Sequence, residues 1–331
     1  NNEKMSKSTG NFLTIKECIT KFGVDATRIT LADAGDGLDD ANFETDVANA
    51  SILKLFVFEK WMQDNIKATI PNGSVDFADS KKSLDLWDKV FENVINNAIE
   101  KSTQYYDEMK YKQCLKYAFF ELQSIKEDYL IAKGGKANPF TLMRFLETQL
   151  VIINPIVPHF SQYCWNKYLY PVFAKSKNYG RDTVENLNKQ AWPVVSAPYD
   201  KIAGDRLAFL KDTKSSIRLG LEKAKTGGKK KGKGPVEEPK ELSTCIVFVA
   251  KEYPEFQKKC LTILQGFEFD DENKLVGDHV AAIREAFDKK AAGLAMKFVS
   301  FQLNIALTEG KEAALKLESS FDEGDCIEQN K

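Results

Sequence analysis

Two cations set three residues apart, Lys4 and Lys7, share a short stretch with the hydroxyl side chains of Ser6, Ser8 and Thr9, just before Gly10 and Asn11. Cations neutralise phosphate oxygens, hydroxyls and backbone N–H groups donate hydrogen bonds to them, and a glycine lets the backbone approach or bend. The pattern suits a mobile loop that folds over a triphosphate. Elsewhere, chemically active residue types are sparse. His159 stands between Pro158 and Phe160 in aromatic surroundings that favour a structural hydrogen bond, and His279 follows Asp278 as a helix-start surface residue with no nucleophile in reach. The six cysteines lie far apart without a C-x-x-C pair, so neither a protein-bound metal site nor a disulfide framework is expected.

Helix signals follow the loop at once and define what must hold it. Thr14 to Glu17 fits a capping box and Gly23 a C-cap, which makes 15–22 a short helix. Asp25 is placed to cap a second one, 26–34, ended by Gly35 and Gly37. From 44 to 66 apolar residues recur as Val47, Ala50, Leu53, Val57, Trp61 and Met62, the spacing of one helical face, until Pro71-Asn72-Gly73 breaks the run. Three more amphipathic stretches follow at 81–106 (Leu84, Trp87, Phe91, Val94, Ala98), 110–132 (Leu115, Phe119, Leu122, Ile125) and 139–153 (Met143, Leu146, Leu150). These elements predict an antiparallel all-α bundle. Pro155 and Pro158 should separate a further segment, 159–168, and an irregular region with Pro171, Gly180, Pro193 and Pro198 closes the unit.

Residues 201–221 read as helix, but Gly227 to Pro235 is a Lys/Gly string that cannot bury a core and reads as a linker between domains. Beyond it, the β-branched run Ser243–Ala250 reads as a buried strand, followed by helical patterns near 254–265, 278–291 and 294–306, a second strand at 313–319, and a helix capped by Asp322. The expected fold is therefore mainly α. It divides into the loop and two short helices (1–43), the bundle (44–200), a helix and linker (201–241) and a small α+β domain (242–331).

At 331 residues, 43% hydrophobic and 29% charged, the chain has the composition of a soluble globular protein. No apolar run reaches the roughly 18–20 residues that span a bilayer, so no membrane partner and an intracellular setting are expected. The missing initiator Met, and an end that falls within a helical pattern, imply a piece of a longer protein. The net charge of −1 conceals a segregation: residues 211–240 hold ten Lys and Arg against four acids, and residues 241–331 hold eleven against seventeen.

Lys4-Met5-Ser6-Lys7-Ser8-Thr9-Gly10-Asn11 resembles KMSKS-T-G-N, the second signature of class I aminoacyl-tRNA synthetases in its branched-chain and methionyl subgroup. Lys21-Phe22-Gly23-Val24-Asp25-Ala26-Thr27-Arg28 resembles the stem-contact segment K-F-G-A-D-A-x-R that follows, with Val24 where Ala is usual. Leu31 to Asp36, Asp40 to Phe43, Leu115 to Gln123, Asn154 to Phe160, Trp192-Pro193 and Cys245 to Pro254 are similar to segments of the cytosolic, eukaryotic and archaeal leucyl-tRNA synthetases. The likeness runs from residue 3 to about 330 and weakens between 266 and 312.

That resemblance implies a cytoplasmic leucine–tRNA ligase with ATP as substrate, Mg2+ carried by the ATP, and tRNA(Leu) as partner. The loop Lys4, Met5, Ser6, Lys7 and Ser8 would bind ATP, with Lys7 on the phosphates at the transition state and Lys4 assisting electrostatically. Lys110, Lys112, Lys116, Lys126 and Arg144, read as solvent-facing, and Lys229, Lys230 and Lys231 in the linker are the candidate tRNA contacts. The C-terminal domain would meet the tRNA, other synthetases or associated proteins. No H-I-G-H signature or editing insertion can be read, so this chain by itself is expected to be inactive. The competing readings are a non-catalytic tRNA- or protein-binding module, and an isoleucyl or valyl enzyme.

Overall fold

The computed structural model describes residues 6, 8–37, 42–225, 246, 253–270, 273–316 and 321–328. The chain divides into two compact units, residues 1–204 and 205–331.

Among the described residues of the first unit every regular element is helical: α1 (Ile15–Phe22), α2 (Val24–Ala34), α3 (Thr45–Thr69), α4 (Phe77–Lys82), α5 (Leu86–Asp107), α6 (Tyr111–Leu115), α7 (Leu122–Ala132), α8 (Pro139–Ile153), α9 (Pro158–Cys164) and α10 (Tyr170–Lys175). A π-helical turn at Lys116–Glu121 joins α6 to α7 without a break, and another at Trp165–Leu169 joins α9 to α10. The anticipated face of 110–132 is buried in full, with Leu115, Phe119, Leu122 and Ile125 at 3% exposure or less.

Local chemistry sets the helix ends. The expected helix at 81–106 starts only at Leu86, because Asp85 accepts from the Asp88 N–H and Asp88 reciprocates, a capping box that stops the chain at Ser83-Leu84. Asn138 caps α8 through the N–H groups of Phe140 and Thr141, and Pro139 takes the first helical position, where its missing N–H costs nothing. Pro158 opens α9 in the same way.

Helix α3 presents a different face from the one its periodicity implied. Ala48, Ser51, Leu55, Phe58, Met62 and Ile66 are buried, whereas Leu53 and Val57 lie on the surface with Ile52 and Phe56. The helix is apolar over most of its circumference, so two stripes compete and packing against α2 and α8 selects one. Helix α8 sits at the centre. From Thr141 to Ile153 all of its residues are buried, polar ones included. Phe58, Phe91 and Phe145 meet around it, with ring centroids 5.0 Å apart for Phe91–Phe145 and 6.4 Å for Phe58–Phe145.

The second unit holds α11 (Lys201–Lys225), whose first turn lies in the first unit, then α12 (Glu255–Gln265), the antiparallel strands β1 (Glu268–Phe269) and β2 (Leu275–Val276), α13 (His279–Ala286), α14 (Lys289–Glu309), α15 (Lys311–Ala314) and α16 (Glu323–Glu328). Cys260, Leu264, Ile283, Ala295 and Val299 form its core. Asp322 caps α16, its carboxylate accepting from Asp325 N–H at 2.9 Å. The strand expected at 243–250 lies outside the described residues except for Ile246. That expected at 313–319 begins in helix α15, and its remainder from 317 lies outside them. The short β1–β2 hairpin had no sequence counterpart: two-residue strands are too brief to show alternation.

Candidate phosphate loop and nucleic-acid interface

The loop closes on its own hydroxyls. Ser6 Oγ lies 3.0 Å from Ser8 Oγ and 2.8 Å from Thr9 Oγ1, and Asn11 Oδ1 accepts from the Ser6 N–H at 2.9 Å and the Thr9 hydroxyl at 2.6 Å. The Gly10 N–H donates to Ser6 O at 3.2 Å, and Gly10 turns the chain at φ +67°, a left-handed conformation open to glycine. Lys4, Met5 and Lys7 lie outside the described residues.

The arm behind the loop starts on a firm cap. The Thr14 hydroxyl accepts from Glu17 N–H at 3.2 Å while Glu17 Oε2 accepts from Thr14 N–H at 2.7 Å, and the bond from the Thr14 backbone holds the Glu17 carboxyl below its usual range. Gly23, at φ +82°, ends α1 and begins α2 with no residue between them. Phe22 and Ala26 pack with Ala48 and Phe43, the Phe22 and Phe43 rings 5.7 Å apart.

Helix α2 is tied to the bundle at three places. Asp25 does not cap α2, since Gly23 holds that position; instead its Oδ2 accepts from the Phe160 N–H of α9 at 2.6 Å. One turn on, Arg28 donates from Nε to Ile156 O and from Nη2 to Pro155 O, both at 2.7 Å. Just beyond the helix, Asp36 accepts from the N–H groups of Lys112 and Gln113 at 2.8 and 3.1 Å, capping α6 from 76 residues away. Burial lifts the Asp25 carboxyl above the usual carboxylate range, against the lowering pull of the Phe160 and His159 amides and of the nearby His159 and Arg28 charges. His159 itself is exposed. With Phe22, Ile52, Leu55 and Phe160 it lines a cleft of about 390 Å³ beside Asp25.

The five basic bundle residues separate into two groups. Lys110, Lys112 and Lys116 are on the surface. Lys110 pairs with Glu108 at 2.7 Å, which raises its pKa, and Lys116 lies 4.9 Å from the centroid of the Tyr117 ring, itself stacked on Tyr105 at 5.7 Å. Lys126 and Arg144 are not solvent-facing: they are 4% and 7% exposed. The Lys126 ammonium lies over Trp61 at 4.8 Å and bonds Glu127 at 2.6 Å, and Arg144 donates to Glu92 at 3.3 Å and to Val194 O at 2.6 Å. Neither is available to a macromolecule. Lys229, Lys230 and Lys231 lie outside the described residues.

Among the described residues, no group of three or more His, Cys, Asp and Glu could hold a metal ion, and no helix is long and apolar enough to cross a membrane. Cys18, Cys114, Cys164, Cys260 and Cys326 are buried free thiols, and burial pushes Cys114 up to about 12.

Residues 88–238 match the family model described as the anticodon-binding domain of tRNA ligase. Over 99% of its length the chain is 33% identical to the cytoplasmic leucine–tRNA ligase of Saccharomyces cerevisiae, covering 28% of that protein. The chain belongs to the leucine–tRNA ligase family. A putative cytoplasmic leucine–tRNA ligase of Schizosaccharomyces pombe is 36% identical over 90% of the chain and 25% of its own length, and that of Dictyostelium discoideum is 32% identical over 100% and 29%. The chain thus spans little more than a quarter of the length of these ligases. For a ligase-family chain, the ties of Asp25 and Arg28 have a local sequence signal, since both lie in the K-F-G-V-D-A-T-R stretch. The cap supplied by Asp36 has none.

Proposed function

We propose that this chain is part of a cytoplasmic leucine–tRNA ligase and supplies that enzyme's ATP-binding loop and its tRNA-docking body. What carries the reading is the similarity to leucine–tRNA ligases over nearly the whole chain, through the loop, the arm and the bundle alike. In the reaction a carboxylate oxygen of leucine attacks the α-phosphorus of ATP and the bond to pyrophosphate breaks, giving leucyl-adenylate; a terminal ribose hydroxyl of tRNA(Leu) then attacks the leucyl carbonyl and AMP leaves. Negative charge gathers on the departing pyrophosphate, and no covalent protein intermediate is needed, so positioning and electrostatics supply the catalysis. Lys7 contacts the phosphates at the transition state, Lys4 adds positive potential, and Ser6, Ser8 and loop N–H groups donate hydrogen bonds. Mg2+ enters with the ATP phosphates.

The surface lysines Lys110, Lys112 and Lys116 contact the tRNA backbone, and Lys229, Lys230 and Lys231 add salt-sensitive attraction. The division at 1–43, 44–200, 201–241 and 242–331 assigns these tasks to the loop and stem-contact arm, the bundle, the linker and the last domain. That last domain meets the tRNA or a synthetase-associated protein, a role favoured by Leu294 and Phe301, exposed on α14.

In the full-length ligase, Lys7→Ala is expected to lower leucine-dependent pyrophosphate exchange by at least a hundredfold while the melting temperature stays constant. Exchange at the wild-type rate sinks the role given to Lys7, and exchange driven by isoleucine or valine instead of leucine sinks the substrate assignment.

A further inference from the structure

Helix α2, eleven residues and therefore about 16 Å long, is held near its start, one turn further on and just past its end, each time by a charged side chain on main-chain groups of the bundle. Its partners are the start of α6, the turn between α8 and α9, and the start of α9. Hydrogen bonds to charged groups are short and directional, so ties at three separated points fix both the place and the rotation of a rigid helix. Towards the loop, the arm has little slack. Gly23 joins α2 to α1 directly, the Thr14–Glu17 box fixes the start of α1, and only Phe12 and Leu13 lie between that box and Asn11.

We propose that Asp25, Arg28 and Asp36 are positioning residues, the joint through which the tRNA-docking bundle sets the place of the phosphate loop. This inference rests on the ligase reading and deepens it. Their charged groups are taken up by main-chain groups of the bundle, and they act through α2 and α1. Arg28 and Asp36 are exposed and their partners are main-chain groups at helix ends, so loss of a tie lets water take its place and frees the arm without emptying a core. The inference separates two properties that a merely structural contact would change together: affinity for tRNA, and the response of the loop to bound tRNA.

The test uses the full-length ligase, an unmodified leucine tRNA transcript, and trypsin cleavage after Lys7 as a reporter of the loop. In the wild-type protein, bound tRNA is expected to change the cleavage rate at Lys7 severalfold. In Asp36→Asn, outside the K-F-G-V-D-A-T-R segment, tRNA affinity should stay within twofold of wild type while that change disappears, and the change should disappear in Arg28→Ala and Asp25→Asn as well. The kcat for leucylation should fall about tenfold with the KM for leucine unchanged, and Arg28→Lys, which keeps one donor, should recover part of both. The two Asp→Asn variants keep the side-chain shape and carry the test if Arg28→Ala does not fold. A wild-type response retained in the Asn variants overturns the joint. So does a wild-type protein that binds tRNA with no change at Lys7. A wild-type protein that binds no tRNA, or shows no leucine-dependent exchange, overturns the ligase reading and the joint with it.

Discussion

Around α8, charge is matched to charge inside the protein. Glu147, with no exposed surface, accepts from Arg181, the Tyr179 hydroxyl and Gln190, and nearby Asp88, 1% exposed, accepts from the Tyr129 hydroxyl at 2.6 Å, Thr141 at 2.8 Å and Lys133 at 2.9 Å. Along α2, charge goes instead to the main-chain ends of other helices, with Arg28 and Asp36 close to solvent and Asp25 half-buried. The contrast is in what each arrangement leaves behind when a partner is removed. In the bundle an uncompensated ion stays in a low-dielectric interior; in the arm water replaces the lost bond. The first region should therefore govern stability, the second geometry.

The largest effect is expected from Asp88→Ala, which leaves the Lys133 ammonium with Asp85 alone and takes the acceptor from the Tyr129 and Thr141 hydroxyls. It should cost about 3–5 kcal/mol, read as a lower urea midpoint of the first unit's transition; a cost under about 1 kcal/mol would erase the distinction between the two regions.

Glu147 gives a smaller, pH-dependent effect. Burial lifts its pKa above the ordinary glutamate value, against the pull of Arg181, Tyr179 and Arg144. Between the ordinary and the raised value the folded chain holds a proton that the unfolded chain has lost, so this group makes stability fall as pH rises through that window. Subtracting the denaturation midpoints of Glu147→Gln from those of the wild type across pH 4–7 should reveal that negative slope. A flat or rising difference would place the carboxylate in a better-compensated site than its burial implies.

The smallest effect belongs to the arm. Thr14→Ala removes one partner of the capping box and should cost about 1 kcal/mol, confined to α1. Amide hydrogen exchange should show it as roughly fivefold weaker protection of α1 with the global unfolding midpoint unmoved; a matching drop in α8 would mean that arm and bundle unfold as one.

Legibility in the sequence followed the distance between partners. The Thr14–Glu17 box, the helix starts at Asn138 and Asp322, and the buried face of Leu115, Phe119, Leu122 and Ile125 are set by residues within a turn or two of one another. The interior positions of Lys126 and Arg144 depend on Trp61, Glu92 and Val194, brought from other elements, and nothing within their own helices distinguishes them from surface cations. The face of α3 was misread for a related reason: Leu53 and Val57 are as apolar as Leu55 and Phe58, and only the neighbours that pack against it make the choice. In the candidate site, the proposed phosphate chemistry rests on five consecutive residues. The arm's attachment at Asp36 had no such signal, because Asp36 and Lys112 are far apart in the chain.

The direct junction of α1 and α2 at Gly23 also limits how this stretch can change in length. A residue inserted between Asp25 and Arg28 would advance Arg28 by about 1.5 Å and swing it through about 100°, away from both carbonyls it now serves. Substitutions here can be absorbed one at a time, but an insertion or deletion shifts the register of everything toward the loop at once. Related sequences should accordingly vary in residue type between Thr14 and Asp36 far more readily than in the number of residues.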